Sequence, residues 1–460
     1  MFEGALLLLL SWGVLAFGSV YPWAYWPLSV GEAAVGLAGL VSGRGRVPTP
    51  LIAGLALVAC AIVIQIVPLP GSVLDTISPH RAAVWALARQ GPDGAVPSDG
   101  STRPGSLSLQ PGDTFRSLAL FASFALLMLG VVRRLRERGV VRIVSGVSVL
   151  GLIVAVVGLV DSPLGGRAGK IYGFWDPRDL ATSFSPFVNR NHFGGWMLMA
   201  LPLVVGLAFG LTLERRAGAR AGWRSAVLWM GTRDASQSAL IGLGAIVMAF
   251  ALVNTMSRSS ISDFLMVSTG LAAWMGARRR SGLTSLVLTG CLVAVAVFTI
   301  RWTGAEALEQ RFTFRPSDGG RAAAWAQGVR IASSFPWTGS GLNTYSLVAA
   351  ADGRTEARFD QTHNDYLQLA AEGGALVTVP VFTMLAIFGH QVWLRFRERR
   401  DTLLLYWLRV GAVAGLVAIA LQEVVEFSLQ MPGNFALFAA LVAIAVRPAS
   451  PAAEIVQVAA

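Results

Sequence analysis

Cysteine, lysine and histidine are scarce in this chain of 460 residues, and so is charge. Its two cysteines, Cys60 and Cys291, each sit inside an apolar run. That placement argues against a disulfide framework or a cysteine-ligated metal and suits small buried hydrophobes. Lys170 is the one lysine among 37 basic residues, and only 4 histidines are present. Charged residues make up 14% of the chain, and the net charge is +11. A basic balance can signal nucleic acid, but here the charge falls in short clusters between apolar runs, where it sets membrane topology. No nucleic-acid partner is expected. The sequence has no Walker A stretch, no DxD motif and no Cys/His ligand spacing. Neither a nucleotide nor an essential metal is expected, and no cofactor.

Apolar residues are abundant instead, at 54%, with a mean hydropathy of +0.60. Apolar runs of about 17–22 residues recur, each long enough to cross a hydrocarbon core of about 30 Å. A barrel would show shorter alternating segments. The expected fold is therefore all-α, a polytopic transmembrane protein of about 12 spans. These lie near 4–20, 24–41, 50–68, 114–132, 140–160, 191–213, 237–254, 261–277, 283–300, 374–393, 403–421 and 433–448. Met1-Phe2-Glu3 lacks a basic n-region, so the first run reads as a retained span. Tyr21, Trp23, Tyr25 and Trp26 in the first turn read as an interfacial aromatic cluster.

Alternate loops carry arginine close to span ends: Arg44 and Arg46, Arg133 to Arg138, Arg215 to Arg224, Arg278 to Arg280, and Arg395 to Arg400. By the positive-inside rule these are cytoplasmic, and both termini with them, including a tail at 449–460. The outward loops are 69–113, 161–190, 255–260, 301–373 and 422–432. Loop 69–113 turns Gly-, Pro- and Ser-rich after Arg89 and reads as a flexible excursion, with His80 a solvated loop residue. Within 301–373, residues 321–335 have helical periodicity, with Ala324, Trp325, Val329 and Ile331 near one face and Pro336 ending the helix. The turn Gly339–Tyr345 follows, so this loop is expected to form a small helical cap.

Four groups carry the chemistry. His363, Asn364, Asp365 and Tyr366 close the polar stretch QTHNDY at the mouth of a span. A histidine in such company suits proton transfer or substrate positioning, against the plain alternative of an interfacial imidazole. Asn189, Arg190, Asn191 and His192 open the sixth span in FVNRNHFGGW, where an arginine at a helix entrance suits a phosphate. Snorkelling to lipid headgroups is the alternative for Arg190, and His192 reads as a supporting residue. In NTMSRSSI, Arg258 is a lone charge on the outward side. Glu423 and Glu426, three apart, are expected on one helical face, paired with Arg190 or Arg258 or supporting His363.

Taken in order, FVNRNHFGGW, NTMSRSSI, GSGLNTY and THNDYLQLAAEGG resemble the O-antigen ligase family, which includes related O-antigen and exopolysaccharide polymerases. The resemblance covers roughly residues 180–440, which divides the chain into spans 1–180 and a ligase-like region 181–448. It implies a GT-C-like fold in the bacterial inner membrane and metal-independent, inverting glycosyl transfer on the periplasmic face. The donor would be an undecaprenyl-diphosphate-linked glycan, and the acceptor a glycan or lipid A core. His363 would be the catalytic residue. Arg258 and Arg190 would bind the diphosphate, with Asn189, His192, Asn364, Asp365, Tyr366, Glu423 and Glu426 around the substrate. Ligase and polymerase stay open, as does a transporter of a small anion or lipid-linked sugar. The absence of internal repeats argues against the transporter.

Overall fold

The computed structural model describes residues 1–90, 105–161, 170–177, 183–216, 223–277, 319–352, 359–398 and 401–448. The span expected at 283–300 lies outside them, as do Arg220, Arg278 to Arg280, Arg399, Arg400 and the tail at 449–460. Among the described residues the chain is helical throughout, with isolated bridges and no strand.

The helices are α1 (Phe2–Leu15), α2 (Pro22–Ser42), α3 (Thr49–Ile66), α4 (Gly71–Ile77), α5 (His80–Gln90), α6 (Pro111–Arg134), α7 (Glu137–Asp161) and α8 (Arg190–Arg216). They continue with α9 (Trp223–Met230), α10 (Arg233–Asn254), α11 (Arg258–Ala277), α12 (Gly319–Ser334), α13 (Tyr345–Asp352), α14 (Asp365–Glu398), α15 (Leu403–Gln422) and α16 (Pro432–Val446). Local signals start them. Proline sits in the first turn of α2, α3, α6 and α16, where its missing N–H is no loss. The hydroxyls of Thr232 and Thr402 accept the N–H groups of Ala235 and Leu405 and cap α10 and α15.

Among the described residues eight helices are long and apolar enough to span a membrane: α2, α3, α6, α7, α8, α10, α14 and α15. α1 and α16 are shorter apolar helices, and the expected span at 261–277 falls on α11. α8 and α15 pack along each other at the centre of the bundle, and α2 packs along α6. The second pair meets backbone to backbone: a Cβ on Gly130 would collide with the Gly36 carbonyl. Where lipid supplies no hydrophobic drive, such close approach gains dispersion energy.

The two ends of the bundle differ. At one end the arginine-bearing segments meet. Arg133 donates to the Gly43 carbonyl at 3.1 Å, and Arg134 lies over the Phe2 ring. Asp401 binds both Arg409 (2.8 Å) and Arg447 (2.9 Å), all three nearly fully buried. Arg409 also donates to the carbonyls of Ala445 and Arg447. The other end lies about 40 Å away along the 27 residues of α8.

There a cap of α5, α12 and α13 has its own small core, in which Trp85, Leu109, Ile331, Phe335 and Tyr345 pack together. Of the flexible excursion expected in 69–113, residues 91–104 lie outside the described residues. Its described parts are two helices and a segment bonded into the cap, Leu109 donating to the Ser340 carbonyl at 2.9 Å. His80 opens α5 rather than lying in an irregular loop. The expected cap helix is present as α12, but Val329 is 54% exposed while Ala324 and Ile331 are buried, so Val329 is off the packed face.

Candidate functional site

The site is framed by a break in α14. Gly374 has φ 54° and ψ −166°, which a side chain would not tolerate. The break divides a short outer limb, 365–373, from the limb that follows. The amides freed at the break are taken by the chain before the glycine turn: Ala375 donates to Pro336 O (2.8 Å) and Leu376 to Trp337 O (2.9 Å). In return Gly341 donates to Glu372 O at 2.9 Å. A Cβ on Gly339 would collide with that same carbonyl. The turn GSGLNTY and the stretch AEGG are thus two halves of one clasp. Gln65 of α3 bolts it to the bundle, its amide donating to Thr338 O (2.8 Å) and Glu372 O (2.9 Å). The Glu372 carboxylate accepts the N–H groups of Asn343 and Tyr345, both at 2.8 Å, at the start of α13.

Just before the outer limb, His363 sits at φ 53°, an uncommon backbone state for a residue with a side chain. Its carbonyl accepts the indole N–H of Trp325 at 3.3 Å. Its ring lies on Phe427, centroids 5.1 Å apart, and the side chain is one-third exposed. Facing it is Glu426, fully buried, with Oε2 3.7 Å from His363 Nδ1. Among the described residues neither of these two atoms has a hydrogen-bond partner. The other carboxylate oxygen, Oε1, accepts from Asn191 Nδ2 at 2.6 Å and pairs with Arg321 from the first turn of α12. Arg321 keeps 39% of its side chain exposed.

α8 and α11 enter this cluster by their first turns. Gln422 donates to both Asn191 O and Ser260 Oγ, each at 3.0 Å. Arg190 and Arg258, half-buried, flank those two anchor points in sequence and open the two helices. His192 is buried, with its ring 4.8 Å from Phe427 and its carbonyl accepting from Asn434 at 3.0 Å. The structure therefore brings His363, Glu426, His192 and the helix ends bearing Arg190 and Arg258 to one place.

Other expected residues have local structural work. Asn364 caps α14, its Oδ1 accepting Leu367 N–H at 2.9 Å. Asn189 Oδ1 accepts Asn191 N–H at 2.9 Å, at the start of α8. The Tyr366 hydroxyl donates to Ala420 O at 2.8 Å. Glu423 and Glu426 are not on one helical face, which corrects the spacing argument. α15 ends at Gln422, and the next residues form a turn because the chain must reverse into α16. Within that turn Glu423 accepts Leu429 N–H at 3.2 Å, and its carboxyl is hydrogen-bonded to that of Asp365. Burial, then the Asp365 charge, push the Glu423 carboxyl well above its usual range. Gln430 donates to Asp365 at 2.6 Å. Among the described residues no three His, Cys, Asp or Glu side chains are grouped as metal ligands.

Arg321 and Phe427 are central here and were not expected. Arg321 opens the expected cap helix, and that position outside the spans is the one signal it gives.

No curated protein matches the chain. Residues 243–382 match the family model described as O-antigen ligase, a stretch narrower than the resemblance. It holds Arg258, Arg321 and His363, while Arg190, Glu423 and Glu426 lie outside it. Over that stretch the chain is similar to the O-antigen ligase family, which agrees with its membrane helices and the order of its motifs.

Proposed function

We propose that the protein is an integral membrane glycosyltransferase that moves a glycan from an undecaprenyl-diphosphate carrier to a hydroxyl acceptor on the periplasmic face of the bacterial inner membrane. The observation that carries this is the convergence of a partly exposed imidazole, a buried carboxylate and an exposed guanidinium at the end of the bundle away from the arginine-rich loops. The family match supports ligase- or polymerase-type transfer.

In this mechanism the donor diphosphate lies among Arg190, Arg258 and Arg321, with its polyprenyl tail along the spans. Guanidinium groups grip phosphate oxygens in pairs. They stabilise the charge that grows on the leaving diphosphate as the sugar C1–O bond breaks. His363 takes the proton of the acceptor hydroxyl as its oxygen bonds to C1 from the opposite face, which inverts the centre. Such base assistance is worth about 10²–10⁴-fold. Diphosphate leaves as an anion without a general acid. The cap excludes bulk water from the donor, and Asp365 and Tyr366 fix the start of α14 beneath it.

The test is incubation of purified protein in bilayer discs with an undecaprenyl-diphosphate-linked oligosaccharide and separate acceptors: lipid A core, or a second donor molecule. A single addition identifies a ligase, and a ladder a polymerase. A donor left unconsumed with every acceptor would overturn the reading.

A further inference from the structure

We propose that Glu426 is the positioning residue for His363. Its Oε2 accepts a hydrogen bond from the Nδ1–H of the imidazole, which keeps that proton on Nδ1 and leaves Nε2 as the atom that receives the acceptor's proton. The proposal rests on the reading of His363 as the base.

Three observations converge on it. First, Glu426 Oε2 and His363 Nδ1 lie 3.7 Å apart, and among the described residues both lack a hydrogen-bond partner. A buried carboxylate oxygen without a donor is costly, so the pair gains by closing a few tenths of an ångström. Catalytic hydrogen bonds are commonly loose before substrate arrives. Second, the carboxylate cannot swing freely. Oε1 is held from two directions, by Asn191 of α8 and by Arg321 of α12, so Oε2 is aimed at the ring. Third, the imidazole is confined as well, by the backbone state of His363, the Trp325 bond to its carbonyl and the Phe427 ring.

The acceptor O–H bond breaks and its proton goes to Nε2. The acceptor oxygen bonds to C1, and the C1–O pair leaves with the diphosphate. Glu426 stays ionised and stabilises the imidazolium; it does not take the proton. The same carboxylate joins the base to Arg321, so cap, span entrance and base share one anchor. Among the described residues, the charged and titratable groups facing this cluster include Glu426 from the turn after α15, which Arg321 of α12 also binds, and His192 from α8; Glu423 lies in the same turn and Arg190 opens α8. Arg258 opens α11, and Asp365 is on its own element.

With four histidines in the chain, ring nitrogen signals can be assigned by substitution on full-length protein labelled with ¹⁵N-histidine. The neutral His363 ring should carry its proton on Nδ1 in the wild type and lose that preference in Glu426→Gln. A wild-type ring protonated on Nε2 overturns the proposal. In the donor assay, Glu426→Gln should lower kcat about 10²-fold with a KM little changed. It should also move the acid limb of the pH profile to lower pH, and Glu426→Asp should restore part of the rate. Unaltered kcat and acid limb in folded Glu426→Gln, beside an inactive His363→Ala, overturn the role of Glu426 alone. An active His363→Ala overturns the reading of His363 beneath it. If Glu426→Gln fails to fold, the wild-type ring signals decide the matter.

Discussion

Two arginine–carboxylate clusters stand at opposite ends of this protein, and they are built to opposite specifications. Around Asp401, the carboxylate oxygens and the guanidinium groups of Arg409 and Arg447 are paired with each other or with carbonyls, and water is excluded. Around Glu426, one oxygen accepts from two donors, the other has no donor among the described residues, and both Arg321 and His363 reach the surface. The first arrangement has no capacity left and ties helix ends together. The second holds unspent capacity, which is what a site that must meet a substrate requires. A buried charge pair is thus not in itself a sign of function; an incomplete one at an opening is.

The contrast is sharpest when one residue is removed from each cluster. His363→Ala should cut transfer by about 10²–10⁴-fold while leaving the melting temperature where it was. Asp401→Ala should do the reverse. Stranding two buried guanidinium groups costs about 3–5 kcal/mol, read as a lower melting temperature and yield, with activity per folded molecule kept. If the two variants behaved alike, the distinction would fail. Gly374→Ala bridges them: it strains the clasp by about 1–3 kcal/mol and should lower both melting and rate, the rate more steeply. Arg258→Lys should weaken the donor KM several-fold and leave folding intact, since lysine lacks the fork. The smallest effect concerns Glu423. Its carboxyl holds a proton in the fold above the ordinary value of 4.5, whereas the unfolded chain has released it there. Stability therefore falls as pH rises from that value through the raised one, and Glu423→Gln should flatten this slope in melting scans.

The apolar helices were legible because crossing a bilayer needs only length and apolarity: eleven expected runs fall on described helices, eight of them long and apolar enough to span a membrane. The histidine end was legible as a place because polar residues gathered beside a span. Its internal assignments were less so. Asn364 reads as company for His363, yet capping a helix explains its side chain. Glu423 and Glu426 read as a helical pair, yet a chain reversal three residues long is invisible to spacing. Arg321 was hidden because one arginine among many gives no sign of its partner. The clasp was hidden because it joins carbonyl to amide, and every residue has those.

The locked bend at Gly374 has a consequence for the enzyme's surroundings. Ala375 and Leu376, just past the bend in the lower limb, are bonded to the carbonyls of Pro336 and Trp337, which ties the two limbs to the turn before Gly339. A thicker or thinner bilayer makes the lower limb change its tilt. If His363 serves as proposed, such a joint would pass that tilt to it, and the transfer rate would depend on bilayer thickness.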